Sequence, residues 1–279
     1  MFQTFTTTAD PSQGAARLAA LRQRLTAEGL AGFLVPRADA HQGEYVAPRD
    51  ERLSWLTGFT GSAGFAVVLA DVAGVFIDGR YRLQVQGQVD LSAFTPVPWP
   101  ETLPGPWITT HLPSGDLGFD PWLHTAEEIG KLEAAGVSLR PVANMVDAVW
   151  PDQPPPPMGR AFPQPETLAG ASSAEKRARL AETLRAAGQR AAVITLPDSI
   201  CWLLNIRGAD VPRNPVLHGF AILHDDARVT LYAEAAKFDA ETRAHLGEHV
   251  TLRPASAFVP ALHSLQGPVR VDRGSAPLA

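Results

Sequence analysis

Trp55-Leu-Thr-Gly58-Phe-Thr-Gly61 is matched by Trp202-Leu-Leu-Asn205-Ile-Arg-Gly208, and Gly64-Phe-Ala-Val-Val-Leu69 by Gly219-Phe-Ala-Ile-Leu223. Two matches in the same order point to an internal duplication. Working outward, each strand meets a tight turn, at Asp71–Gly74 or at Asp225-Asp226, and then a second apolar strand, Val75–Ile77 or Val229–Tyr232. Upstream, both copies open on a helix and a short strand. In the first, Ser12 is placed to cap a helix whose Leu18, Leu21 and Leu25 share one face, Gly29 ends it, and Ala31–Val35 follows. In the second, Ser172 and Glu175 form a capping box, Leu180 and Leu184 share a face, Gly188 ends the helix, and Ala191–Thr195 follows. The expected fold is α/β, with two related domains, each a mixed β-sheet flanked by helices. Trp55 and Trp202 are expected at equivalent buried positions, where truncation to alanine costs about 3–5 kcal/mol.

Between the copies, residues 150–165 contain seven prolines, four of them consecutive at Pro154–Pro157. Proline fixes φ and removes a donor, so this stretch is neither helix nor central strand. The expected organisation is a first domain over 1–150, a proline-rich linker over 151–165 and a second domain over 166–279. The chain stops at Ala279 without a closing helix, as though within that second domain. A helix capped by Thr125 and Glu128 and running toward Gly136 completes the first copy.

The 279 residues carry 24 Lys+Arg against 29 Asp+Glu, a net charge of −5, which argues against an extended nucleic-acid footprint. Cys201 is the sole cysteine, so neither an intrachain disulfide nor a C-x-x-C site is available. The opening Met1–Thr6 lacks the charged and apolar regions of a secretion signal, and no run of about 18 apolar residues exists. A cytoplasmic protein without membrane or nucleic-acid partners is expected.

Three stretches could carry chemistry. Gly58-Phe-Thr-Gly61-Ser-Ala-Gly64 reads G-x-x-G-x-x-G, which is neither a dinucleotide fingerprint nor a nucleophile elbow; its glycines serve tight turns. His245-Leu-Gly-Glu248-His249 fits the H-x-x-E-H zinc pattern if a helix carries it through, but Gly247 interrupts the motif and Val250–Leu252 reads as a strand. Asp39, His41, Glu44 and Tyr45 crowd a polar loop after the first strand; such residues either pin loop backbone or carry function.

Asp39-Ala-His41-Gln-Gly-Glu44-Tyr45-Val-Ala-Pro48, then Trp55–Gly64, then Asp78-Gly79-Arg80-Tyr81 together resemble the N-terminal region of Xaa-Pro aminopeptidases (the aminopeptidase P family). Asp198–Val216 resembles the stretch that precedes the equivalent strand of that family's middle domain. The resemblance implies two creatinase-type N-terminal domains ahead of a catalytic domain. That domain would bind two divalent metals, usually manganese, through two aspartates, a histidine and two glutamates. It would remove an N-terminal residue preceding proline, with a metal-bridged hydroxide as nucleophile. No such ligand is assignable in this chain, so neither catalytic nor metal residues are expected here. The implied role is accessory: shaping the cleft, limiting access to short proline-containing peptides, contacting the catalytic domain and supporting a homo-oligomer. Arg80 is the residue expected to touch substrate, since it follows a strand end and a sharp turn and carries a fork suited to carboxylates. A local pair with Asp78 is the plain alternative for Arg80. The alternatives for the chain are a stand-alone binding module of the same fold, or a zinc hydrolase centred on His245 and His249.

Overall fold

The computed structural model describes residues 9–279, so the opening Met1–Thr6, read above for a secretion signal, lies outside the described residues. Two compact units are present. One comprises the described residues up to Ala38, Arg49–Pro154 and Leu278–Ala279; the other comprises Asp39–Pro48 and Pro155–Pro277. No described helix is long and apolar enough to cross a membrane.

In the first unit the elements run α1 (Gly14–Ala27), β1 (Gly32–Pro36), α2 (Arg52–Thr57), β2 (Gly64–Leu69), β3 (Ala73–Ile77), α3 (Gln84–Gln88), β4 (Thr95–Pro98), α4 (Pro104–His111), β5 (Leu117–Phe119), α5 (Ala126–Ala134) and β6 (Leu139–Pro141). Its sheet has the order β4-β3-β2-β1-β5-β6. The pairs β3–β2 and β2–β1 are antiparallel, and the outer pairs β4–β3, β1–β5 and β5–β6 are parallel.

The second unit runs β7 (Phe162–Pro163), α6 (Glu166–Ala169), α7 (Ser173–Ala186), β8 (Ala191–Ile194), α8 (Pro197–Leu204), β9 (Ile206–Arg207), β10 (Phe220–His224), β11 (Val229–Tyr232), α9 (Ala240–Leu246), β12 (Val250–Arg253), α10 (Phe258–Ser264) and β13 (Val269–Arg270). Its main sheet has the order β12-β11-β10-β8-β13. Again the central pairs, β11–β10 and β10–β8, are antiparallel, and β12–β11 and β8–β13 are parallel. Strand for strand, the two sheets share order and sense, which bears out the duplication. Among the described residues β6 has no counterpart in the second unit.

Successive side chains of a strand point to opposite faces, and β1, β2 and β3 are apolar at nearly every position, so helices cover both faces of the first sheet. Phe33, Val35, Ala66, Val68, Val75 and Ile77 face a core built with Leu18, Leu21 and Leu25 of α1 and Leu53 and Leu56 of α2. Leu34, Val67, Leu69 and Phe76 face the other side, with Ile108 of α4 and Ile129 and Leu132 of α5. Both expected capping boxes form, at Thr125/Glu128 and at Ser172/Glu175. The start of α1 departs from expectation. Ser12 does not cap it, and no side chain does: the Asp10 carboxylate instead accepts from the Ser12 backbone N–H (3.0 Å) and caps a 3-10 turn over Pro11–Gln13 that leads into α1. Pro11 fixes φ one residue before Ser12, which moves the cap upstream.

The matched tryptophan segments occupy matching helices. Helix α2 ends on Gly58 at φ +84° and α8 on Asn205 at φ +49°, both left-handed. A Cβ at Gly58 would sit 2.3 Å from the Gln88 carbonyl oxygen, whereas asparagine tolerates the turn at 205. The tryptophans themselves diverge, which corrects the expectation of equivalent burial. Trp55 is half-buried, stacked on Trp150 with ring centroids 5.1 Å apart and capped by the Arg17 guanidinium at 4.6 Å. Trp202 is 42% exposed, its ring covering the Lys176 ammonium at 4.7 Å. Lys176 in turn donates to the Trp202 carbonyl (3.0 Å) and to Asn205 Oδ1 (2.6 Å), so on α8 the tryptophan shields a charged cap instead of joining a core. Trp55→Ala is therefore expected to cost about 3 kcal/mol in denaturant unfolding and Trp202→Ala about 1 kcal/mol or less. Equal losses at the two positions would contradict this difference.

Candidate functional site

Asp78 follows the C-terminal end of strand β3, where its carboxylate Oδ1 accepts from the Arg80 backbone N–H (2.9 Å) and starts a 3-10 turn over Gly79–Tyr81. The same carboxylate takes the Arg80 guanidinium, Nη2 to Oδ2 at 2.6 Å and Nε to both oxygens at 3.1 Å. These hydrogen bonds, with the side-chain donors leading, hold the Asp78 carboxyl below its ordinary range. The Arg80 side chain is nonetheless 65% exposed, and its guanidinium lies 5.1 Å from the Tyr81 ring centre. The plain alternative for Arg80, a local pair with Asp78, is formed, and the side chain stays largely exposed.

The glycine-rich stretch supports this turn from below. Tyr81 Oη and Ser62 Oγ are 2.6 Å apart, and Phe59 meets the Tyr81 ring edge-on at 5.5 Å. A Cβ on Gly61 would sit 2.2 Å from the Phe59 ring, so the residue is glycine for close approach, as its spacing indicated.

In the second unit, the polar loop Asp39–Pro48 enters a buried polar cluster. Asp39 Oδ1 accepts from the His41 N–H (2.8 Å), and Asp39 Oδ2 lies 3.4 Å from His218 Nε2. The His41 ring packs at 4.6 Å from that of His218 and at 4.5 Å from Phe220. Burial is the main force holding the His41 imidazole neutral, lowering its pKa from 6.5 to about 4. The Lys237 ammonium adds to this lowering, while Asp210 and the carbonyls of Thr195 and Gly219 oppose it. Beneath, Asp210 accepts three donors: the N–H of Gly159 (2.9 Å), the N–H of His218 (2.6 Å) and the Lys237 ammonium (2.8 Å). Glu44 and Tyr45, with Pro197, Asp198, Asn214 and His218, line a recess of about 170 Å³.

Asp210, His218 and Lys237 carried no assigned role in the sequence reading. The available signal was rarity: the chain has three lysines, and two of them, Lys176 and Lys237, are buried against oxygen acceptors. Buried lysine requires partners, and Lys176 and Lys237 each have them.

The H-x-x-E-H stretch does not make a metal site. Helix α9 stops at Leu246 and Gly247 turns away at φ +70°, which places His249 beyond the helix and removes the shared face. His245 Nε2 donates to the Leu204 carbonyl (3.1 Å), and His249 is solvent-exposed beside Glu248 at 3.7 Å.

Profiles described as the creatinase/prolidase N-terminal domain match residues 17–149 and again residues 152–279. The chain belongs to the creatinase/prolidase N-terminal family. It carries two such domains in tandem. Among curated relatives, a probable Xaa-Pro aminopeptidase P of Coccidioides posadasii is 37% identical over 94% of this chain and 41% of its own length. One from Neosartorya fischeri is 37% identical over 85% of this chain and 38% of its own length. The chain thus spans about two fifths of the curated relatives it matches. Among solved structures, the X-prolyl aminopeptidase of Caenorhabditis elegans superposes with a TM-score of 0.84 at 29% identity, covering 93% of this chain and 46% of that one. That protein is described as a cytosolic enzyme with a di-nuclear active site.

Within the second creatinase-type domain, Asp210 and Lys237 form a buried ion pair, 0% and 4% exposed at their side chains. Removing one partner strands the other in a medium that cannot solvate it. Asp210→Ala is expected to destabilise by about 3–5 kcal/mol in urea unfolding, with partial recovery in Asp210→Ala/Lys237→Met. A loss below about 1 kcal/mol for Asp210→Ala would show that the pair is not the organising contact.

Proposed function

We propose that this chain is the non-catalytic N-terminal portion of a metal-dependent Xaa-Pro aminopeptidase, the enzyme class that removes N-terminal residues preceding proline. The observation that carries the reading is the match along 94% of the chain to a probable aminopeptidase P that is more than twice as long. In this reading the catalytic domain holds two divalent metal ions, taken to be manganese. His245 is bonded to the Leu204 carbonyl and His249 lies beyond the end of α9, so the H-x-x-E-H stretch does not supply such a centre, and the chain's own contribution is mechanical and electrostatic. The two domains shape the substrate cleft, admit short peptides, contact the catalytic domain and support a homo-oligomer in the cytoplasm. The cytosolic description of the C. elegans relative supports that compartment.

Arg80 is the substrate-touching residue of the proposal. Asp78 fixes its Nε edge, so the fork is presented in one orientation at low entropic cost to a peptide carboxylate. In an enzyme carrying this chain ahead of a catalytic domain, Arg80→Ala is expected to raise KM about tenfold or more, the worth of a charge-assisted hydrogen bond. Arg80→Lys restores the charge but not the fork, and so recovers activity only in part. Unchanged kinetics with lowered thermal stability would reduce Arg80 to a local partner of Asp78. The purified 279-residue chain, assayed on Xaa-Pro peptides with added manganese or zinc, is expected to show no turnover. Turnover abolished by His249→Ala would overturn the accessory reading.

A further inference from the structure

The loop Asp39–Pro48 is held in the second unit by a side chain whose environment accommodates one charge state. His41 is 9% exposed, packs against the rings of His218 and Phe220, and its Nδ1 meets no hydrogen-bonding partner among the described residues. Phe220 continues the apolar wall by stacking on Phe258 of α10 at 4.3 Å. An imidazole that packs as an aromatic slab in this way is stable when neutral. A proton on Nδ1 would create a buried cation with its new N–H unmatched.

We propose that His41 is an acid-sensitive latch: the neutral ring fastens residues 39–48 into the second unit, and a proton on the ring releases them. The charged and titratable groups around the ring set the balance. From the loop itself comes the Asp39 carboxylate, which engages the His41 backbone N–H and His218. The segment before β10 supplies His218 and the Gly219 carbonyl, and the residue after β8 supplies the Thr195 carbonyl. From deeper in the unit come Lys237, whose ammonium opposes a second positive charge, and Asp210, which is committed to Lys237 and two backbone N–H groups. Desolvation dominates, and the depressed imidazole pKa of about 4 agrees with the geometry.

The sign follows from linkage. The proton binds more tightly to the released loop than to the fastened one, so fastening is at full strength above about pH 6.5 and weakens about tenfold per pH unit down to about pH 4. Release dismantles the recess to which Glu44 and Tyr45 contribute one wall, making that recess a neutral-pH feature.

Hydrogen exchange on the intact 279-residue chain, corrected for the intrinsic pH dependence of amide exchange, reads the latch directly. Protection across residues 39–48 is expected to fall about tenfold per unit between pH 6.5 and 4, while peptides from α1 and β2 hold steady. His41→Phe keeps the slab but cannot take a proton, so its loop is expected to stay protected throughout. Loop protection that is flat with pH in the wild type, or an equal acid loss in His41→Phe, would overturn the proposal. Should His41→Phe fail to fold, NMR titration of the wild-type His41 imidazole decides: a midpoint near 4 supports the latch, and one at 6 or above overturns it.

Discussion

Ala66 and Ala221 are fully enclosed in the middle of the two sheets, and the fold depends on the register they occupy. Ala66 pairs with Val35 on one side and Val75 on the other; Ala221 pairs with Ile194 and Leu231. With helices over both faces of the first sheet, a slip by one residue would turn Val67 and Leu69 into the space sized for alanine and valine. The register of the central antiparallel strands therefore decides which side chains each covering helix meets. The connections between these strands are short: residues 70–72 join β2 to β3, and residues 225–228 join β10 to β11.

On this frame the polar groups divide into two kinds. Arg80 is exposed, anchored along one edge and supported by Tyr81, Ser62 and Phe59, an arrangement suited to meeting something outside the domain. Asp210, Lys237 and His41 are enclosed, and their chemistry is spent on holding the linker end, the approach to β10 and the 39–48 loop together. In a buried setting each of these contacts is costly to break and contributes as much to a unique arrangement as to net stability.

Much of this was legible in the sequence because it is encoded locally. Two capping boxes, the helix-ending glycines at 29, 136 and 188, the break at Gly247 and the Asp78 turn all depend on residues within four positions of one another. The duplication was legible because its strands repeat in order, although Val35 answers to Ile194, one residue earlier than the matched strand starts at Ala31 and Ala191 imply. What escaped depends on distant partners. Trp202 opens a segment that matches the one at Trp55, yet its ring lies over Lys176 of the preceding helix and is 42% exposed. The passage of the 39–48 loop into the second unit, and the role of Lys237 at 27 residues from Asp210, rest on tertiary contacts that no local pattern records.

The central claim is that this chain supplies an accessory surface to a peptidase and that the surface runs through the turn after β3. A Xaa-Pro peptide bearing a photoreactive group at its C-terminus, irradiated on an enzyme that carries this chain and mapped by mass spectrometry, tests the claim directly. Labelling is expected within Asp78–Tyr81, and unlabelled peptide is expected to compete it away. Labelling confined to residues outside 1–279, or labelling of the turn that competition leaves unchanged, would contradict it.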